Sequence, residues 1–123
     1  MQRHRLPARP ARISASEPAR ACLTLAAACD EREVVSLEGL AADPIIAALR
    51  DSFHRWHGLQ CGFCTPGMLI AARDLIRRGR ARSEAEIRAG LAGNLCRCTG
   101  YTNIVSAIAE AAAALAPATG RGS

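Results

Sequence analysis

CGFC at residues 61–64 and CRC at residues 96–98 are the two stretches that decide how this chain folds. The pairs are separated by 31 residues, so they can surround one metal centre only if the intervening segment folds back on itself. Thiolates paired in this way hold zinc or an iron–sulfur cluster. The sequence therefore offers Cys61, Cys64, Cys96 and Cys98 as candidate metal ligands.

Length and composition favour one small helical domain. A chain of 123 residues has room for one domain, and its apolar residues are mostly Ala, Leu and Ile, with few aromatics. The formal charge is +5 and all fixed side-chain cations are arginine, five of them in the first twenty residues. Because aromatic side chains are not interleaved with these arginines, we expect no nucleic-acid binding.

The cysteines and the apolar segments are the sequence features that indicate the cellular compartment. Six cysteines could form a secreted disulfide framework, but the one candidate signal segment, residues 21–28, is short for that purpose. The Arg- and Ser-containing start also resembles a transit peptide, and the approach to Cys29 faintly resembles a lipoprotein cleavage site. No stretch reaches the ~18 apolar residues of a membrane span. A cytoplasmic location with reduced thiols is therefore favoured.

Four predicted helices make residues 43–115 the folded domain, and the fold class mainly α. Each of the first three helices has a start signal and a stop signal. Those signals are Asp43-Pro44 and Gly58 for the first, Thr65-Pro66 and Gly79 for the second, and Ser83 to Glu86 and Gly93 for the third. The fourth helix is predicted from about Asn103 to Leu115 and stops before Pro117. Short connections favour a small bundle. The cysteines fall in these connections, where helix N-termini can direct N–H groups at the sulfurs.

The flanking regions have weaker patterns. Residues 1–20 are predicted to be a disordered basic tail, and residues 116–123 a second disordered tail. Residues 21–40 look extended, with short strands at 22–25 and 33–37.

Spacing alone leaves several metal sites open. A [2Fe–2S] cluster competes with structural zinc, for which Cys-x-Cys is less usual and His57 is a possible further ligand. Such a histidine more often simply ends a helix. A thioredoxin-like dithiol at residues 61–64 needs a βαβ context that the sequence lacks. A Rieske centre is excluded because there is no Cys-x-His pair.

Two longer motifs carry a resemblance to a known family. LQCGFCTPGM at residues 59–68 and GNLCRCTGY at 93–101, followed by Ile104-Val105, resemble the C-terminal [2Fe–2S] domain of the molybdenum hydroxylases. The resemblance covers roughly residues 21–112. It implies a four-helix bundle with the cluster near its end, held by Cys61, Cys64, Cys96 and Cys98. It also implies that Gln60 and Cys98 approach the pterin of a molybdopterin cofactor on a large partner subunit, with FAD usually on a third subunit.

The chain also departs from that family. A complete small subunit begins with a plant-type ferredoxin domain that holds a second cluster; Cys22 resembles its fourth ligand, and the first three have no counterpart here. Residues 21–40 are therefore interpreted as a remnant of that domain and its linker. We expect one cluster in this chain, and we expect Cys29 to be a buried thiol.

The resemblance implies an oxidoreductase subunit that relays electrons, or a truncated fragment of one. Two alternatives stay open: a zinc-stabilised interaction module, and a non-functional remnant. The remnant would fold poorly, because loss of the ferredoxin half would expose apolar surface around Leu23, Leu25, Val35 and Leu37.

Overall fold

In the described part of the chain, four α-helices follow two short strands. The computed structural model describes residues 3–6 and 17–116. The strands are β1 (Arg3–Leu6) and β2 (Glu17–Arg20), and the helices are α1 (Pro44–Arg55), α2 (Thr65–Arg77), α3 (Glu84–Leu91) and α4 (Thr102–Leu115). Short 3-10 helices span Ala21–Leu23, Ala26–Cys29 and Glu38–Leu40. Within the described ranges, no helix is both long enough and apolar enough to cross a bilayer.

The helices form a closed four-membered bundle. Helix α1 packs against α2 and α4, and α3 packs against the same two helices from the other side. Burial of each large apolar side chain contributes roughly 1.5–3 kcal/mol. The fully buried large side chains are Phe53, Ile46, Leu49, Met68, Ile87, Ile104 and Ile108. The predicted mainly α bundle is confirmed.

Side-chain caps fix the starts of α1 and α3. Asp43 Oδ1 accepts the backbone N–H of Ile45 at 2.9 Å and that of Ile46 at 3.4 Å. Ser83 Oγ accepts the N–H of Glu86 at 3.2 Å, while Glu86 reaches back to the N–H of Arg82 rather than to that of Ser83. These bonds satisfy N–H groups that a helix start leaves unpaired.

The ends of α1 and α2 use the same backbone motif. At the end of α1, Gly58 N–H donates to the carbonyl of Phe53 at 2.8 Å, and the residue with positive φ is His57, at 51°. At the end of α2, Gly79 has φ 65° and Arg80 N–H donates to Leu75. The second stop was predicted correctly. The first one differs because His57 takes the left-handed position and Gly58 packs closely on Phe53.

A buried ion pair joins α1 to α2. Asp43 Oδ2 accepts Arg73 Nε at 2.6 Å and lies 2.5 Å from a second guanidinium nitrogen of Arg73. Arg73 is only 8% exposed. Burial works to raise the pKa of Asp43, but Arg73 and the two backbone N–H groups outweigh it and lower this pKa. The same carboxylate therefore caps one helix and neutralises a buried cation on the next.

The N-terminal segment corrects several expectations. The predicted strand at residues 22–25 is wrong: parts of it lie in 3-10 turns, whose local hydrogen bonds satisfy the backbone without a neighbouring strand. The predicted strand at 33–37 is reduced to an isolated bridge at Val35. Strands instead occur at residues 3–6 and 17–20, where disorder was expected. The other residues of the two predicted tails, except Ala116, lie outside the described ranges.

Apolar exposure in this segment is uneven. Leu23 and Leu25 are exposed, as the sequence analysis expected, whereas Val35 and Leu37 are partly buried against the core. Cys29 was expected to be buried and is half-buried.

Candidate metal centre

The two cysteine loops meet at one end of the bundle. Cys61 Sγ and Cys98 Sγ lie 3.6 Å apart, and the thiols of Cys64 and Cys96 lie close enough to perturb each other's acidity. Each close pair thus contains one cysteine from each loop. The chain folds back between residues 64 and 96 through α2 and α3, as the spacing requires.

Gln60 also joins the two loops. Its side-chain Nε2 donates to the backbone carbonyl of Cys98 at 3.2 Å. Gln60, Cys61 and Cys98 are all exposed, whereas Cys64 and Cys96 are half-buried. The site therefore has an outer half that faces solvent and an inner half that faces the bundle.

Thr99 and Tyr101 organise the second loop. Cys96 N–H donates to the Tyr101 hydroxyl at 2.9 Å, and Tyr101 N–H donates to Thr99 Oγ1 at 3.2 Å. Thr99 contacts Cys96 Sγ twice, through its hydroxyl at 3.1 Å and through its backbone N–H at 3.4 Å. Gly100 and Tyr101 both have positive φ, which turns the chain sharply into α4.

Neither Thr99 nor Tyr101 has a role predicted from the sequence. Both lie inside the GNLCRCTGY motif, so their position next to the cysteines was the available signal. The N–H donors to Cys96 also come from loop residues ahead of α4 rather than from the first turn of that helix.

The thiols differ in acidity across the site. Burial and the contact with Cys96 raise the pKa of Cys64 to about 11. Burial also acts to raise the pKa of Cys96, but hydrogen bonds from Thr99 and from the Cys98 N–H outweigh it and lower this pKa. The hydrogen bond with Cys61 raises the pKa of Cys98. Metal binding deprotonates cysteine ligands, so the shared protons of both pairs would be released on loading.

The pairing of the thiols is compatible with a two-iron cluster. A zinc ion needs four ligands around one point, whereas a [2Fe–2S] cluster uses four cysteines distributed over two irons. Here the thiols form two pairs.

The remaining candidate residues lie elsewhere. His57, considered as a zinc ligand, is the left-handed residue that ends α1. Cys22 and Cys29 lie in the 3-10 helices of the N-terminal segment, and all six cysteines are free thiols.

Comparison with known proteins agrees with this geometry. Residues 36–109 match the family described as "[2Fe-2S] binding domain", and the chain belongs to that family. It is similar to the caffeine dehydrogenase subunit gamma of Pseudomonas sp., with 47% identity over 95 residues that cover 75% of this chain and 57% of that protein. It is also similar to the nicotine 6-hydroxylase small subunit of Paenarthrobacter nicotinovorans, with 46% identity over 92 residues that cover 75% and 55%.

A solved structure shows the same fold. Quinoline 2-oxidoreductase from Pseudomonas putida 86 superposes with a TM-score of 0.71 and 48% sequence identity, covering 79% of this chain and 60% of that chain. The chain thus spans little more than half the length of the curated relatives it matches.

Proposed function

We propose that this chain is the iron–sulfur electron-transfer component of a molybdenum-containing hydroxylase or dehydrogenase. In this proposal Cys61, Cys64, Cys96 and Cys98 hold one [2Fe–2S] cluster. The observation that carries it is the pairing of thiols across two loops, Cys61 with Cys98 and Cys64 with Cys96. When bound, such a cluster accepts and releases single electrons.

The number of clusters follows from the remaining cysteines. Cys22 and Cys29 leave only two further thiols, and a second [2Fe–2S] cluster needs four ligands. We therefore propose one cluster in this chain. Free thiols throughout also favour a cytoplasmic location, where cysteines stay reduced.

The exposed half of the site is proposed to face a partner subunit that binds molybdopterin. Gln60 and Cys98 are exposed and hydrogen-bonded to each other, so one surface can present both to a pterin. Phe63 is 78% exposed and Leu95 is 83% exposed, each next to a candidate ligand. Large apolar side chains exposed together commonly mark a surface that a partner covers. A subunit that binds FAD is the proposed further electron acceptor.

The experiment is anaerobic loading of the full chain with iron and sulfide. We expect two irons and two sulfides per chain, a red-brown visible spectrum, and a paramagnetic signal after reduction with dithionite. About four irons would contradict the single cluster. A folded, colourless protein that takes up zinc instead would contradict the electron-transfer function.

The partner is tested by co-purification with a molybdopterin-binding subunit encoded beside this gene. Phe63→Ser and Leu95→Ser should weaken co-purification while leaving iron content unchanged. Leu25→Ser is the matched control, because Leu25 is 78% exposed but lies in the N-terminal segment. Equal losses in all three variants would refute the proposed surface.

A further inference from the structure

Two threonines occupy matching positions beside the candidate ligands. Thr65 directly follows Cys64, and Thr99 directly follows Cys98, so each comes after the last cysteine of its pair. Their hydroxyl groups have different surroundings. Thr99 Oγ1 lies 3.1 Å from Cys96 Sγ, whereas the buried Thr65 Oγ1 has no hydrogen-bond partner among the described residues.

The direction of the Thr99 hydrogen bond is set by the protonation state of Cys96. Tyr101 N–H donates to Thr99 Oγ1, so this oxygen already acts as an acceptor. Its own hydrogen is then free to point at Cys96 Sγ. A metal-bound cysteine is a thiolate and has no proton to donate, so in the loaded site the hydroxyl is the donor.

Several hydrogen-bond donors surround the sulfur of Cys96. Its sulfur can accept from the Thr99 hydroxyl and accepts from the Thr99 backbone N–H, and the backbone N–H of Cys98 also stabilises its charged form. Hydrogen bonds to cluster sulfurs stabilise the more negative, reduced state and so raise the reduction potential. Of these three donors, the Thr99 hydroxyl is the one that a side-chain substitution can remove.

We propose that the Thr99 hydroxyl sets the reduction potential of the cluster through Cys96, as a positioning residue that itself undergoes no chemistry. This inference rests on the proposed function. Reduction adds one electron to the cluster, supplied by the molybdenum site in the complex or by dithionite in the test. No covalent bond forms or breaks and no proton is transferred; the Thr99 hydrogen bond strengthens as the sulfur gains negative charge.

The test is a redox titration of the full chain, loaded anaerobically and followed by electron paramagnetic resonance. Thr99→Val should lower the equilibrium constant for reduction about tenfold, which is ~59 mV for a one-electron couple. Thr99→Ser keeps the hydroxyl and should restore most of the potential. Thr65→Val is the matched control and should leave the potential unchanged, because that hydroxyl makes no hydrogen bond in the described structure.

The outcomes separate this inference from the proposed function. Normal iron content with equal potentials for wild type and Thr99→Val would overturn the inference and leave the electron-transfer function standing. A wild-type chain that binds no cluster would overturn both. If Thr99→Val fails to assemble the cluster, Thr99→Ala takes its place in the titration. A second measurement is the hyperfine spectrum of the reduced wild-type cluster in D₂O, which detects exchangeable deuterons near the cluster. An exchangeable deuteron coupled to the cluster and lost in Thr99→Ala supports the hydrogen bond, and its absence from the wild type refutes it.

Discussion

The helical bundle (residues 43–115) and the N-terminal segment (residues 17–37) contain similar apolar side chains but differ in how far these side chains are exposed to solvent. In the bundle, Leu49, Ile87 and Ile108 are fully buried. In the N-terminal segment, Leu23 is 72% exposed and Leu25 is 78% exposed. The bundle therefore supplies most of the stability of the described chain, and the N-terminal segment attaches to a bundle that is already complete.

Strands β1 and β2 lie against α2, and the side-chain hydrogen bonds between the N-terminal segment and the bundle are exposed. Arg20 donates to the carbonyl of Gly93, and Arg78 forms an ion pair with Glu17 at 3.3 Å. Only Val35 and Leu37 of the N-terminal segment pack against the core. Exposed ion pairs contribute roughly 0–1 kcal/mol, so we expect this segment to detach before the bundle unfolds.

The largest difference that we predict between the bundle and the N-terminal segment is in metal binding. Cys64→Ser in the bundle should abolish normal cluster assembly, because it removes one of the four proposed ligands and leaves Cys96 without its paired thiol. Cys22→Ser and Cys29→Ser in the N-terminal segment should leave iron content and the visible spectrum unchanged. Iron and sulfide analysis after anaerobic loading measures all three. Loss of the cluster in Cys22→Ser would show that the two regions share one site.

Sequence reasoning worked where local signals and core pattern agree. Asp43-Pro44 and Ser83 mark helix starts, and the structure places both as N-caps. The four cysteines can serve one metal centre only if the two loops meet, and they do. A resemblance to a family supplied the cluster type that spacing alone left open.

The sequence predictions that differ from the structure do so for physical reasons. Residues 22–25 have strand propensity, but a strand needs a neighbour, and local 3-10 hydrogen bonds satisfy this backbone instead. The left-handed conformation of His57 could not be predicted because the adjacent Gly58 was the natural choice for that position. The role of Thr99 depends on a turn through Gly100 and Tyr101 that brings its hydroxyl back to Cys96.

Truncating an apolar side chain should lower the free energy of unfolding much more in the bundle than in the N-terminal segment. Ile108→Ala should lower the free energy of unfolding by about 2–5 kcal/mol, because Ile108 is fully buried between helices. Leu25→Ala should change it by less than about 0.5 kcal/mol, because Leu25 already faces solvent. Urea unfolding followed by circular dichroism gives both values. Comparable losses would mean that the N-terminal segment is part of the cooperative core.

The Asp43–Arg73 pair should make the stability of the bundle depend on pH. Asp43→Asn keeps a capping oxygen but leaves Arg73 without its anion, which should cost about 1–3 kcal/mol at neutral pH. The pKa of Asp43 is lowered in the folded state, so the stabilisation is present above the unfolded pKa and is lost as pH falls through the folded value. The difference between wild type and variant should therefore shrink on acidification.

Unfolding titrations at several pH values test this prediction, with Glu84→Gln as the matched control. Glu84 pairs with Arg88 at 2.8 Å, but its side chain is 66% exposed. The control should lose less than about 0.5 kcal/mol at neutral pH. A pH-independent penalty for Asp43→Asn would contradict a stabilising role for the charge of the carboxylate.

The smallest predicted effect is a gain in stability at a strained position. His57 has φ 51°, in the left-handed region that disfavours side chains, so His57→Gly should raise the free energy of unfolding by about 0.5–1 kcal/mol. Glu31 in the N-terminal segment has φ 55° and is the matched comparison. Glu31→Gly should give no gain in global stability, because a segment that detaches first releases its strain before the bundle unfolds. Equal gains in urea unfolding would show that both regions unfold as one cooperative unit.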